Sequence, residues 1–293
     1  MVLRWLTTNA QYSAGYRENL ETGGQRTPIG NLRDMTFRAV DTLSAANIIA
    51  CEDTRVTAKL LSAYEIGTAT IPYHEHNAAK MRPMLLDRLR QGEIVALVSD
   101  AGTPLISDPG YKLVCAAIDA GIPVTALPGA SAPMTALAAA GLPTDKFLFA
   151  GFLPSRTVAR RRALSSVGNV SATLVFFETA RRLAASLEDM RDVLGARKAV
   201  VARELTKRFE EFRRGTLDSL AEHYMSCGSP KGEIVVLIAP SDGDFAKPED
   251  LDALLRKALD GMSVRDAAAT VSAATGRSRR EVYTRALQLD RAG

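Results

Sequence analysis

Cysteine, histidine and long apolar runs are scarce in this chain of 293 residues. Its three cysteines, Cys51, Cys115 and Cys227, are odd in number, lie far apart and never fall in Cys-x-x-Cys spacing. Neither a disulfide framework nor a cysteine-bound zinc is expected, and a reducing cytoplasm suits the chain best. Only His74 and His76 lie close together, and without a third ligand such a pair reads as loop or surface, so no metal is expected. No apolar stretch approaches the roughly 18 residues of a membrane span, and residues 2–6, interrupted by Arg4, are too short for a signal-peptide core. No membrane partner is expected. Neither Gly-x-Gly-x-x-Gly nor Gly-x-x-x-x-Gly-Lys-Ser/Thr occurs, which disfavours a ligand held by its phosphates at a helix N-terminus. Charge of one sign is scarce too. The balance of 37 Lys and Arg against 33 Asp and Glu leaves a net +4, a weak signal for nucleic acid.

What is present is a set of loops with little side-chain bulk. Residues 94–98 are a short, unalternating β-branched run, the pattern of a strand buried on both faces of a parallel sheet. It runs directly into Asp100, Ala101, Gly102, Thr103 and Pro104. In open α/β sheets ligands sit beyond the carboxyl ends of strands, where a glycine admits them to bare backbone and a proline fixes the turn. An ordinary strand-to-helix turn would read the same way. The device recurs at Arg26-Thr27-Pro28-Ile29-Gly30-Asn31-Leu32, before an amphipathic segment at 35–45, and at Leu127-Pro128-Gly129-Ala130-Ser131-Ala132, before an Ala-rich helix. Three loops of this kind favour a ligand site.

The first half alternates strands (47–50, 68–72, 94–98, 124–127) with helices (57–63, 81–90, 112–120), which predicts a doubly wound parallel sheet. A second α/β unit has strands at 147–150, 172–177, 198–202 and 234–239. Beyond a Gly-, Asp- and Pro-rich linker, helical patterns at 251–259, 264–274 and 279–289 suit a helix-turn-helix. The expected organisation is an atypical extension over 1–25, α/β domains over 26–128 and 129–240, a linker over 241–248 and a helical element over 249–293.

The motif from Thr27 to Thr36, Ile48-Ile49-Ala50-Cys51-Glu52-Asp53-Thr54-Arg55, the run from Ser99 to Gly110, the run from Leu127 to Ala132, and Arg203-Glu204-Leu205-Thr206-Lys207 occur in that order. Together they resemble the ribosomal RNA small subunit methyltransferase I family of the tetrapyrrole methylase superfamily. The resemblance implies a two-domain α/β fold, with a parallel sheet in the N-terminal domain and a mixed sheet in the second. It further implies a homodimer that uses S-adenosylmethionine to methylate a cytidine ribose 2′-hydroxyl in the decoding region of 16S rRNA, on the small ribosomal subunit. It places the cofactor against Pro28, Gly30, Asp100, Ala101, Gly102, Thr103, Ile106, Ser131, Ala132 and Phe177.

Deprotonating a hydroxyl calls for a carboxylate, lysine or histidine within hydrogen-bond reach. Glu52, Asp53, Arg55 and Lys207 are the leading catalytic candidates, and Asp100, Asp108, Glu178 and the rest of the 203–207 cluster are also plausible. Asp53 and Arg55 read equally well as a helix-start charge pair. For RNA, Arg156, Arg160, Arg161 and Arg162 form a run without an acid inside it, and Arg279 and Arg280 stand in the terminal helices. Such runs either contact phosphates or face solvent. One departure from the family is marked. Glu21-Thr22-Gly23-Gly24-Gln25-Arg26 replaces the apolar first strand, and paired glycines among polar residues do not make a buried strand. Residues 1–25 therefore read as a misread start or an unrelated extension, leaving the sheet with a gap or a makeshift strand beside Thr27. Two alternatives stay open: a tetrapyrrole methyltransferase, and a non-catalytic RNA-binding protein.

Overall fold

The computed structural model describes residues 3–5, 31–241, 248–275 and 278–290. The N-terminal domain comprises β1 (Leu3–Trp5), α1 (Phe37–Ala45), β2 (Ile48–Cys51), α2 (Thr54–Ala63), β3 (Thr70–Pro72), α3 (Ala78–Arg90), β4 (Val95–Val98), α4 (Tyr111–Asp119) and β5 (Val124–Ala126). Its strands form one parallel sheet in the order β3-β2-β4-β1-β5. β2 and β4 are buried at every position because helices cover both faces of the sheet. Ile48, Ala50, Val95 and Leu97 pack with Leu85, Leu89 and Leu113 on one face. Ile49, Cys51, Ala96 and Val98 pack with Ala39 and Leu43 on the other.

No gap separates β4 from β5. Leu3–Trp5 lies between them, with Leu3 opposite both Val95 and Val124. An interior strand thus comes from the segment in which only a gap or a makeshift strand was expected, and it is only three residues long, too short to leave a pattern in sequence. The Thr27–Gly30 stretch, with the expected cofactor residues Pro28 and Gly30, lies outside the described residues.

The second domain comprises α5 (Ala132–Ala140), β6 (Phe147–Phe152), α6 (Thr157–Val167), β7 (Thr173–Thr179), α7 (Leu183–Leu194), β8 (Lys198–Arg203), β9 (Glu211–Thr216), α8 (Leu217–Cys227) and β10 (Glu233–Ile238). Its sheet is mixed, in the order β6-β7-β10-β8-β9, with only β6 and β7 parallel. Period-two alternation divides its core. Leu174, Phe176, Ile234 and Val236 face α6, α7 and α8, whereas Val175, Val235 and Leu237 face Ala136, Leu137 and Ala140 of α5. β9 carries no sequence signal, because Glu211, Arg213 and Arg214 break its apolar pattern. It is an edge strand, where charge is tolerated and discourages further pairing. In β6 the pairing slips by one residue between Phe149 and Phe152, with Gly151 at φ +63°. This bulge turns Phe152 toward the space between the domains.

Helices α9 (Pro248–Leu259), α10 (Val264–Thr275) and α11 (Arg279–Asp290) close around Leu251, Leu255, Ala268, Val271, Val282 and Ala286. Arg285 of α11 forks onto Asp252 of α9 at 2.7 and 2.5 Å, which ties the last helix to the first of the three. Among the described residues no helix is long and apolar enough to cross a membrane.

Candidate active site

The loops leaving β2, β4 and β5 converge on the second domain around a cavity of about 520 Å³. The β4 loop is the most constrained of them. The Ser99 hydroxyl reaches the carbonyls of Ala101 and Gly102 at 3.4 and 3.3 Å, and the Thr103 hydroxyl donates to the Ala130 carbonyl at 2.8 Å, tying the β4 loop to the β5 loop. Gly102 sits at φ +73°, and Leu105 and Ser107, which are not glycine, at +71° and +69°. Left-handed backbone of this kind persists where surrounding structure enforces it, and it clusters at functional sites. A Cβ on Gly151 would lie 3.3 Å from the Ser107 hydroxyl, so the loop abuts the β6 bulge.

The opposite wall carries Phe152, Phe177, Glu178 and residues 205–207. Phe177 meets Phe149 edge to face with ring centres 4.9 Å apart and Phe152 at a tilt with centres 5.3 Å apart. Glu204 and Thr206 are again left-handed, at φ +49° and +63°. Lys207 bridges Glu204 and Glu233, each at 3.0 Å. Gly232 makes that bridge possible, since a Cβ there would overlap the Glu204 side chain. Two bonds join this loop to the N-terminal domain. Asn31 Nδ2 donates to the Thr206 carbonyl at 2.8 Å, and the Thr206 hydroxyl donates to Asp34 at 2.6 Å.

Of the residues singled out in sequence, Glu52, Asp100, Ala101, Gly102, Thr103, Ile106, Ser131, Ala132, Phe177 and Lys207 all line the cavity. Asp53 and Arg55 do not. Asp53 caps α2 and grips Arg55 at 2.7 Å, and that side-chain hydrogen bond holds its carboxyl down to about 2. Theirs is the helix-start pair that the sequence equally allowed. Sequence reasoning missed Asp34, Phe152 and Glu233, which also line the cavity. Asp34 lies inside the recognised Thr27–Thr36 motif and could have been found there; Phe152 owes its place to the bulge.

Among the described residues lining the cavity, Lys207 is the only cation, set against six carboxylates. Burial, then Asp100, pushes Glu52 up, and burial pushes Asp100 up despite the Asp53 N–H it accepts at 3.1 Å. Asp108 moves furthest. Burial first, then Glu52, Asp100 and Glu233, push it to about 7 against the Ser99 hydroxyl that favours its ionised form. Burial alone would lower Lys207, but Glu233 and Glu204 hold its ammonium up.

The arginine run divides. Arg160 is buried, with only 4% of its side chain exposed, and its Nε bonds Asp189 at 2.6 Å. It cannot present its guanidinium to a phosphate. Arg161 is shared between Asp189 and Asp192, at 2.5 and 2.7 Å. Arg156 and Arg162 are exposed, as are Arg279 and Arg280 on the terminal helices.

The tetrapyrrole (corrin/porphyrin) methylase family matches residues 27–221, and a C-terminal helix-turn-helix domain described as that of RsmI matches residues 246–290. A ribosomal RNA small subunit methyltransferase I of Mesorhizobium japonicum is 53% identical over 264 residues, covering 90% of each chain. One from Halalkalibacterium halodurans is 51% identical over 225 residues, 77% of each. Among solved structures, a diphthine synthase superposes with a TM-score of 0.54 at 15% identity, over 72% of this chain and 86% of that one. A cobalt precorrin-4 methyltransferase gives 0.52 at 18%, over 72% and 91%. At such identities these two speak to the fold alone.

Proposed function

Since the chain belongs to the ribosomal RNA small subunit methyltransferase I family of the tetrapyrrole methylases, we propose that it methylates the ribose 2′-hydroxyl of a cytidine in the decoding region of 16S rRNA. It is an S-adenosylmethionine-dependent rRNA methyltransferase. The reading includes the small ribosomal subunit as partner, a second copy of the chain and a cytoplasmic location.

The observation that carries it is the acidic cavity between the domains. It suits the cofactor in shape and charge: Gly102 offers bare backbone, Ile106, Ala101 and Ala132 offer apolar surface, and Glu52, Asp100 and Asp108 complement a cation. Bound there, S-adenosylmethionine supplies an electrophilic methyl group on a positively charged sulfur. The chain's own task is alignment. The tied β4 and β5 loops fix one wall, and the loop ending at Lys207 fixes the other. Holding reactants in line can contribute about 7 to 11 kcal/mol of the barrier. The likeness to tetrapyrrole enzymes lies at the level of fold, so it does not favour a tetrapyrrole substrate.

The test is transfer of tritium from labelled S-adenosylmethionine to small ribosomal subunits lacking the modification, followed by digestion to nucleosides. Label in 2′-O-methylcytidine is expected. Label on a base, or none in RNA, would overturn the reading.

In this reading exposed arginines neutralise RNA phosphates. Replacing Arg156 and Arg162 together by Ala is expected to weaken RNA binding and to flatten the log–log salt dependence, by about 0.7 to 0.9 for each phosphate that the arginines no longer neutralise. Cofactor affinity should not change. A double variant with the parent's salt slope would mean that these two arginines are only a solvated face.

A further inference from the structure

Methylating a hydroxyl releases a proton, and most ionisable groups around the cavity are already committed. Glu178 accepts from the Ser186 hydroxyl at 2.6 Å and from the Thr179 N–H at 2.7 Å, and pairs with Arg182. Asp34 is held by Thr206, and Asp100 by the Asp53 N–H. Glu233 is bridged to Lys207, and Lys207, kept protonated by two carboxylates, has no lone pair to offer. Asp34 is moreover part of the tie to the second domain, so Glu52 remains, together with Asp108, whose partner, the Ser99 hydroxyl, stands at the start of its own loop.

Of the two, Asp108 is delivered by the more constrained backbone. It follows directly on left-handed Ser107, in a loop tied to Ala130 through Thr103 and seated against Gly151. We propose that Asp108 is the catalytic proton acceptor, with Glu52 beside it on the wall of the same cavity; this rests on the ribose-methylation reading above. An electron pair of the ribose oxygen forms the new O–CH3 bond. The S–CH3 bond of the sulfonium donor breaks with its pair left on sulfur, and the hydroxyl proton ends on an Asp108 carboxylate oxygen. One anion and one cation are consumed and only neutral groups result. A wall that hydrates ions poorly therefore raises the reactants relative to the products.

The groups facing Asp108 are Glu52 at the end of β2, Asp100 and the Ser99 hydroxyl after β4, and Glu233 on β10, with Lys207 lining the same cavity. Their combined effect leaves Asp108 partly protonated near neutrality in the ligand-free protein. Binding a cationic donor beside it must then expel a proton.

Asp108→Asn keeps the shape and removes the base. The expected result is a kcat at saturating donor lower by about 10²- to 10⁴-fold, the usual contribution of general-base catalysis, together with weaker donor binding, because the variant also lacks a carboxylate that complements the sulfonium. Proton release on donor binding near pH 7, read from the dependence of calorimetric heat on buffer ionisation, should disappear in the variant. Parental kcat in D108N, or unchanged proton release, would overturn the proposal. Ser99→Ala asks the same question if D108N does not fold. Losing the hydroxyl that favours the carboxylate should move the acid limb of the kcat–pH profile to higher pH, and an unmoved limb would overturn the assignment. Nucleoside analysis of the parent's product separates the two levels. Methyl on a base would overturn the ribose reading and the proton acceptor with it, whereas undiminished ribose methylation by D108N would overturn the acceptor alone.

Discussion

Alanine in place of Arg160 is expected to destabilise the protein by about 3 to 5 kcal/mol, the usual result of removing one partner from a buried ion pair. Arg160 and Asp189 each expose only 4% of their side chains. The guanidinium also donates to the Ser155 carbonyl at 3.1 Å, so the change strips a carboxylate and a carbonyl at once. Arg161, 2.5 Å from the other Asp189 oxygen, keeps part of that charge compensated and places the loss toward the lower end. At about 2 to 4 °C per kcal/mol for a domain of this size, the melting temperature should fall by roughly 10 °C. Arg162→Ala, on the exposed side of α6, should melt like the parent. The measurement is a thermal melt of the two variants side by side. Equal melting temperatures would mean that the Arg160–Asp189 pair contributes nothing net.

Gly102→Val should abolish cofactor binding. The residue stands at φ +73°, where a β-branched side chain is strained by about 1 to 3 kcal/mol. A Cβ here would meet only the Ala130 carbonyl oxygen, at 4.0 Å, and otherwise extends into the open space that a ligand needs. Strain and lost volume together predict a dissociation constant at least about 100-fold higher, equivalent to roughly 2.7 kcal/mol. Gly102→Ala, which fills less space, should fall between parent and Val variant. Calorimetry on variants shown by circular dichroism to be folded gives the answer. Unchanged affinity in a folded Val variant would remove this loop from the site.

Much of the site was legible because its signals are local. The run from Ser99 to Gly110 joins an unbroken apolar strand to small and rigid residues, and the loop at Ser131 carries a similar mark, whereas the loop at Lys207 was legible only through its family motif. These loops do meet at one cavity. What escaped is decided by partners distant in sequence. Nothing around Arg160 announces Asp189, 29 residues on, so a buried ion pair and a solvated arginine run look alike in the sequence. β9 is hidden because an edge strand tolerates the charges that a central strand excludes. β1 is hidden because three residues are too few to show a period. The contribution of Phe152 depends on a bulge, and a one-residue register slip leaves no compositional trace.

Each sheet carries its own core, and the hydrogen bonds described between them are those of Thr206 with Asn31 and Asp34. Bonds of this kind contribute about 1 kcal/mol each, far less than either core, so by themselves they do not oblige the two halves to unfold together. A ligand that touches both walls adds its own binding free energy to that junction, about 2.7 kcal/mol at 100 times its dissociation constant. Calorimetric unfolding should therefore resolve two overlapping transitions in the empty protein. With saturating cofactor they should merge into one sharper, later transition, because occupancy of the cleft makes the domains a single cooperative unit.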